Sequence, residues 1–355
     1  MWGNSLICIY FYKFYVYIAL VFQYKYIRHT YINLLLKKGG ISVFRYVMKR
    51  IMYMFITLFI VISVTFFLVR LLPGTPFNDQ KLGPEAIARL EATYGLDKPV
   101  PVQYAKYLTG VFQGDLGTSF KNANQKVEDI IGGRIGPSAM LGIQSLIFGS
   151  IVGLILGILA ALNRNTIWDY LCTVIAVLGV SVPAFVIAAL LQLYIGMKFN
   201  FLPVTWGLPL GSDFRYVWTV LPSLAMSVWT ISSVARFTRT ELVEVLNADY
   251  IVTAKAKGLS KATVVIKHAL RNALIPVVTI LGPLAAALLT GSLVVERVFA
   301  VPGMGDLLVS AINTNDLFVI SGVAIVYSLF YILVILLVDV LYGVIDPRIR
   351  LAGGK

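Results

Sequence analysis

The sequence predicts an all-α membrane protein, a bundle of six spanning helices. Three observations lead there. Of the 355 residues, 58% are hydrophobic and only 13% charged, against roughly 45–50% and about 25% in soluble domains. The apolar residues stand in six charge-free windows, 51–69, 135–163, 170–197, 216–235, 272–295 and 317–338, each at or near the ~20 residues a bilayer-crossing helix needs. Barrel strands would read as alternating segments of about ten residues, and these runs do not alternate. The net charge of +13 fits cations flanking membrane spans on the cytoplasmic side, and no nucleic-acid partner is expected.

Residues 1–46 come first, as an N-terminal extension ahead of a spanning domain over 47–355. Its aromatic, apolar run "LICIYFYKFYVYIALVF" is interrupted by Lys13 and followed by Lys25, Arg28, Lys37 and Lys38. Two expectations stand open for it: an extra span with an external N-terminus, or a misassigned start site. A secretory signal is not expected, because no cation precedes the apolar run and no small-residue cleavage site follows it.

The cations orient the spans. Arg45, Lys49 and Arg50 precede the first window; Arg236, Arg239, Lys255, Lys257, Lys261, Lys267 and Arg271 lie between the fourth and fifth; Arg348, Arg350 and Lys355 follow the sixth. With six spans these regions share one side, which the positive-inside rule makes cytoplasmic. The C-terminus is therefore expected inside. The long connector 73–137 falls outside and balances seven cations against seven acids. Within it, Pro84 suits a first helical turn and Gly95 a stop, with Ile87, Leu90 and Tyr94 on one face. "PVPVQYAKYLTGVFQG" repeats the pattern, with Tyr104, Tyr107, Leu108 and Val111. A small helical cap on the outer face is the expectation.

In the second window Gly149, Gly153 and Gly157 recur every four residues and make one smooth helix face where another helix packs closely. Spacing leaves open whether that neighbour is in this chain or in a partner. Pro183 in the third window and Pro283 in the fifth each remove a backbone hydrogen bond and favour a kink, and Pro276 marks the start of the fifth span.

Between the fourth and fifth windows lies a cytoplasmic segment, 236–273, with its own order. Asn247 or Asp249 caps a short helix, "YIVTAKAK", in which Tyr250 and Ala254 share one face and Thr253 and Lys257 the next. Gly258 ends it in the left-handed conformation. Ser260 caps a second helix with an apolar stripe of Ile266, Leu270, Ala273 and Leu274, which feeds the fifth span. The small alanines leave room for a partner surface. Topology accounts for the charge of this segment but not for its succession of cap, helix, glycine, cap and helix.

Familiar chemistry is missing from the sequence. Cys8 and Cys172 make no disulfide framework, and His29 and His268 stand far apart without a metal-binding pattern. There is no phosphate-binding glycine loop and no nucleophile elbow. No ionisable residue occupies mid-window: Arg70, Glu296, Arg297 and Asp339 stand at edges, and Gln144, Asn163, Gln192 and Asn272 are polar only. An ion-coupled carrier usually buries charge there, so energy from another subunit fits better.

The segment "YIVTAKAKGLSKATVVIKHALRNALIPV" resembles the cytoplasmic signature loop of permease subunits in binding-protein-dependent ABC importers, of the peptide and nickel branch. Further matching pieces are "LVRLLPGTPF" (68–77), "YGLDKPVPVQYAKYL" (94–108), "GDLGTSF" (114–120), "AALNRNTIWDY" (160–170), "GSLVVERVFAVPGMGDLL" (291–308) and "DVLYGVIDPRIR" (339–350). The resemblance is strongest to B-type oligopeptide permeases in the bacterial plasma membrane; a dipeptide or nickel permease is the alternative, and an ion-coupled carrier a more distant one. It implies a second homologous permease, two ABC ATPase subunits that bind the ATP, and an extracytoplasmic peptide-binding protein, with no cofactor or enzymatic activity in this chain. It also implies an ATPase-coupling helix made of Asp249, Tyr250, Thr253, Ala254, Lys255, Ala256, Lys257, Gly258 and Leu259. The general signature opens with Glu-Ala-Ala, and its Glu is missing near Val252, Thr253 and Ala254, as is common in the peptide branch.

Overall fold

The computed structural model describes residues 43–71, 83–122, 125–207 and 215–345. Most of the N-terminal extension, the "LPGTPF" stretch and the C-terminal cations Arg348, Arg350 and Lys355 lie outside the described residues. The order is helical throughout: α1 Val43–Val69, α2 Pro84–Tyr94, α3 Val100–Phe112, α4 Val127–Leu162, α5 Ile167–Ser181, α6 Ala184–Leu191, α7 Val220–Leu246, α8 Asp249–Ala256, α9 Arg271–Leu289, α10 Leu293–Val298, α11 Met304–Asn313 and α12 Leu317–Ile345. Five helical stretches are long and apolar enough to cross a membrane: Ile51–Val69, Val127–Leu162, Tyr216–Leu246, Lys261–Val298 and Leu317–Leu337. A sixth arises if the bent pair Ile167–Ser181 and Ala184–Lys198 counts as one span.

That bent pair changes the third window most. The two halves meet at 103°, far more than a proline kink. Val182 is extended, with ψ 124, and Pro183 has ψ 138 before α6 restarts. Pro183 cannot donate to a preceding turn, and the residue before a proline is pushed out of the helical region. The second half then widens into a π-helix over Gln192–Lys198. The Gln192 amide ties it to the carbonyls of Val204 and Val298, at 3.0 and 3.1 Å.

Other boundaries move as well. The second span begins at Val127, so Pro137 lies inside α4 instead of closing the connector. Glu128 and Asp129 favour that earlier start, because acids in a first turn complement the helix dipole. α7 runs on to Leu246, so Arg236 and Arg239 belong to a continuous helix and not to a loop. Pro276 and Pro283 both sit inside α9; a membrane helix tolerates the one lost bond at each.

The chain divides into two compact units. Among the described residues, one comprises 43–71, 83–122, 125–132 and Leu308–Leu329. There the connector carries two helices, α2 and α3. Pro84 opens α2, and Gly95 closes it at φ 71, with the Leu96 N–H returning to the Glu91 carbonyl at 2.8 Å. An aromatic cluster holds α3 to α1: Phe66 stacks on Tyr107 at 5.5 Å and meets Tyr104 at 5.2 Å, and the Tyr104 and Ser63 hydroxyls are 2.6 Å apart. Phe318 of α12 packs on Phe120 at 5.1 Å. Gly117 lies against that ring with φ +93, and a Cβ there would come within 2.7 Å of it.

The other unit comprises Gly133–Leu307 and Phe330–Ile345. Its centre is the packing of α4 on α7. A Cβ on Gly149 would fall 2.7 Å from the Thr230 Cβ, one on Gly153 2.8 Å from the Val234 Cβ, and one on Gly157 2.6 Å from the Thr238 Cβ. The glycine face therefore has its neighbour within this chain. Gly179 of α5 approaches Ser232 on α7 in the same way.

Candidate functional site

The short helix predicted after the fourth span is α8, Asp249–Ala256. It follows the 27-residue α7 after a break of two residues, Asn247 and Ala248. Its N-cap is Ala248, without a side-chain cap; Asn247 instead donates back to the Val243 carbonyl at 2.9 Å, and Asp249 occupies the first turn. The terminator is as expected: Gly258 has φ +77. Ser260 caps the next helix, accepting from the Thr263 N–H at 3.3 Å.

α8 has two faces. Ile251 and Ala254, three apart, are buried in a cluster with Ala161, Leu242, Val264, Ala269 and Ala273. Ala254 therefore seats the helix on its own chain and is not open to a partner, whereas Ala256 is exposed. Asp249, Tyr250, Thr253, Lys255, Lys257, Gly258 and Leu259 are also exposed. Tyr250 is held by Asn272, whose amide donates to the phenol oxygen at 3.0 Å. Ile251 was not singled out from sequence; its i, i+3 relation to Ala254 was the available signal.

The helix after Ser260 departs from the expected stripe. Lys261–Thr263 is α-helical, Val264–Leu270 is a π-helix, and α9 follows. The buried residues are Val264, Ala269, Ala273 and Val277, while Ile266 is exposed. A π turn carries about one residue more than an α turn, so the buried position advances by five from Val264 to Ala269 before returning to steps of four.

Three buried carboxylates missed from sequence pin the segments around this helix and beyond. Asp169 at the start of α5 accepts from Arg239 Nε at 2.6 Å and Nη2 at 2.7 Å, and from the Asn165 N–H at 3.0 Å. Glu296 in α10 accepts from the Ser138 hydroxyl and the Gly305 N–H at 2.8 Å each, and from the Asp306 N–H at 3.2 Å. Asp316 caps α12 through the Val319 N–H and accepts from the Ser119 hydroxyl at 2.5 Å and the Phe120 N–H at 3.1 Å. Each is satisfied as a buried charge must be. Among the described residues no group of three or more His, Cys, Asp or Glu is placed to hold a metal.

Spanning helices whose buried acids are spent on internal hydrogen bonds, with one short helix between them that is buried on one face and exposed on the other, have the build of a membrane permease component. Comparison with known proteins agrees. A family model described as "Binding-protein-dependent transport system inner membrane component" matches residues 153–351, and the model for the N-terminal part of such components matches residues 43–136. The dipeptide transport system permease protein DppB of Lactococcus lactis is 42% identical over 308 residues, 86% of this chain and 99% of its own. DppB of Bacillus subtilis is 43% identical over 309 residues, 86% and 98% of the two chains. The oligopeptide transport system permease protein OppB of Haemophilus influenzae is 40% identical over 308 residues, 86% and 99%. The inward-facing MetNI methionine ABC transporter overlaps at TM-score 0.45 and 16% identity, covering 63% of this chain and 96% of its own; at that score the overlap carries no weight.

The chain belongs to the family of binding-protein-dependent transport system inner membrane components. It is an ABC-transporter permease, a multi-pass protein of the bacterial plasma membrane.

Proposed function

We propose that this permease pairs with a second, homologous permease to form a path for peptide import, driven by two ATPase subunits that dock on α8 from the cytoplasm. The observation that carries the coupling role is the two-sided build of α8: Ile251 and Ala254 lock it to the chain, and Thr253, Ala256 and Lys257 are exposed. A helix seated on one face and open on the other transmits a push without detaching. Gly258 limits it to two turns.

On this reading 47–355 is the transport domain, and the connector helices α2 and α3 face outward, where an extracytoplasmic binding protein delivers the peptide. The C-terminus is cytoplasmic. The chain itself holds no ATP and catalyses no reaction. Similarity to both OppB and DppB supports peptides as cargo. Oligopeptides are the primary reading; dipeptides are the second, favoured by the 42% and 43% identities to DppB proteins.

The test is a bulky charge on the free face of α8. Thr253→Arg or Ala256→Arg, reconstituted with the partner subunits, is expected to cut peptide-stimulated ATP hydrolysis and uptake at least tenfold while the permease keeps its thermal stability. Uptake and stimulated hydrolysis at the unaltered level would show that α8 is not the coupling element.

A further inference from the structure

Behind α8 lies an open-sided cavity of about 440 Å³. Its walls come from the end of α4, the end of α7, α8 itself and the π turn that precedes α9. Arg164, Lys255 and Lys261 line it together with apolar Val243, Leu246 and Val264, and no acid is among the lining residues. None of these three cations makes an ion pair among the described residues. Three unpaired cations around an apolar floor form a receptor for an anionic group attached to a hydrocarbon.

The position indicates where that ligand comes from. Arg164 sits in the turn between α4 and α5, and Ile167, Trp168 and Tyr170 follow it, all more than 60% exposed. Exposed Trp and Tyr at the end of a spanning helix mark the level of the lipid headgroups. The turn is also built rather than loose: Asn165 takes φ 63 and donates to the buried Asp169 carboxylate, and the Thr166 hydroxyl closes back on the Asn163 carbonyl at 2.6 Å. Asp169 is in turn held by Arg239 of α7. Arg164 is thus carried at headgroup depth on an ordered turn, facing two lysines of the α8 segment.

We infer that this cavity binds the phosphate headgroup of an anionic phospholipid, with its acyl chains against the exposed apolar surface of α4 and α5. Basic pockets between spanning helices on the cytoplasmic side suit such headgroups, at about fivefold in affinity for each cation near the surface. Because Lys255 belongs to α8 and Lys261 follows its terminating Gly258, an occupied cavity braces α8 against α4 and α7. The inference rests on the membrane location of the chain and not on ATPase docking.

The experiment titrates the full chain, purified in detergent with its accompanying subunits, with phosphatidylglycerol, phosphatidylcholine or inorganic phosphate, and counts bound molecules by native mass spectrometry. Phosphatidylglycerol is expected to bind in preference to phosphatidylcholine, and Arg164→Gln/Lys261→Gln is expected to weaken it by about 30-fold. Arg164→Lys/Lys261→Arg, which keeps the charge, is expected to keep the preference. So is Lys267→Gln/Arg271→Gln, which removes two cations outside the cavity. An equal loss in either of these control pairs, or no loss in the first, overturns the proposal. Displacement of the lipid by millimolar inorganic phosphate makes this a free-anion site and overturns it too. So does exclusion of lipid whenever the ATPase subunits are bound, since the cavity is then part of their docking surface.

Discussion

Replacing Arg239 by leucine isolates the worth of the Asp169 pin. The Arg239 side chain is 32% exposed and Asp169 only 3%. The substitution removes two donors, at 2.6 and 2.7 Å, and leaves a buried carboxylate with the Asn165 N–H as its remaining backbone donor. Breaking a buried ion pair by deleting one partner costs about 3–5 kcal/mol, and removing both partners together costs far less. Arg239 keeps a third of its side chain in solvent, so the lower end applies, about 3 kcal/mol. At roughly 2 °C per kcal/mol for a chain of this size, Arg239→Leu should lower the melting temperature by about 6 °C. Asp169→Leu/Arg239→Leu should recover more than half of that. The assay is thermal unfolding of the detergent-solubilised protein, followed by tryptophan fluorescence. A double variant as unstable as Arg239→Leu alone would refute the reasoning, because the loss would then come from packing and not from the stranded charge.

Two further outcomes follow from the packing. Gly157→Val drives a Cβ to 2.6 Å from Thr238 and 2.7 Å from the Ala235 carbonyl, at a cost of about 1–3 kcal/mol for overpacking; Gly132→Ala, with nothing within 4 Å, should be neutral or stabilise by up to about 1 kcal/mol. Equal melting temperatures for the two variants would count against the close α4–α7 contact. Asp316→Ala removes the α12 cap and the acceptor for Ser119 and Phe120, so amide exchange at residues 118–122 should accelerate at least tenfold, and unchanged exchange there would show that the loop is held by other contacts.

What was legible in the sequence is what is local. Pro84 and Gly95 bound a helix through their own backbone preferences, and Gly258 and Ser260 do the same in the cytoplasmic segment. Gly149, Gly153 and Gly157 foretold a close helix contact, but periodicity cannot name the opposite helix. The break at Pro183 and the two π turns were hidden because they alter register and direction without altering hydropathy. The buried acids were hidden for a different reason. Asp169 and Arg239 are 70 residues apart, Glu296 and Ser138 158, and Asp316 and Ser119 197. Standing at the edges of apolar windows, they read as interfacial charges until the chain brought their donors to them.

The continuity of α7 gives the coupling proposal its mechanical content. One helix carries Thr230, Val234 and Thr238 against the glycines of α4, Ser232 against Gly179 of α5, and Arg239 bound to Asp169; α8 begins after a break of two residues. The glycine contacts themselves are steric, and the hydrogen bonds that join α4 to α7, from the Ser145 hydroxyl to the Ser223 carbonyl at 3.0 Å and from the Ser223 hydroxyl to Gln144 at 2.8 Å, lie at the end of α7 away from α8. The ion pair adds two short, directed hydrogen bonds, which fix the Arg239 level of α7 to the first turn of α5. On the coupling proposal, displacement of α8 would reach α5 at Asp169, and the 103° bend between Ile167–Ser181 and Ala184–Lys198 would be the next point at which the chain yields. Weakening the pin should uncouple α8 from that bend while the glycine contacts still hold α4 to α7. Charge-reversed Asp169→Arg/Arg239→Asp should restore part of what either single reversal loses.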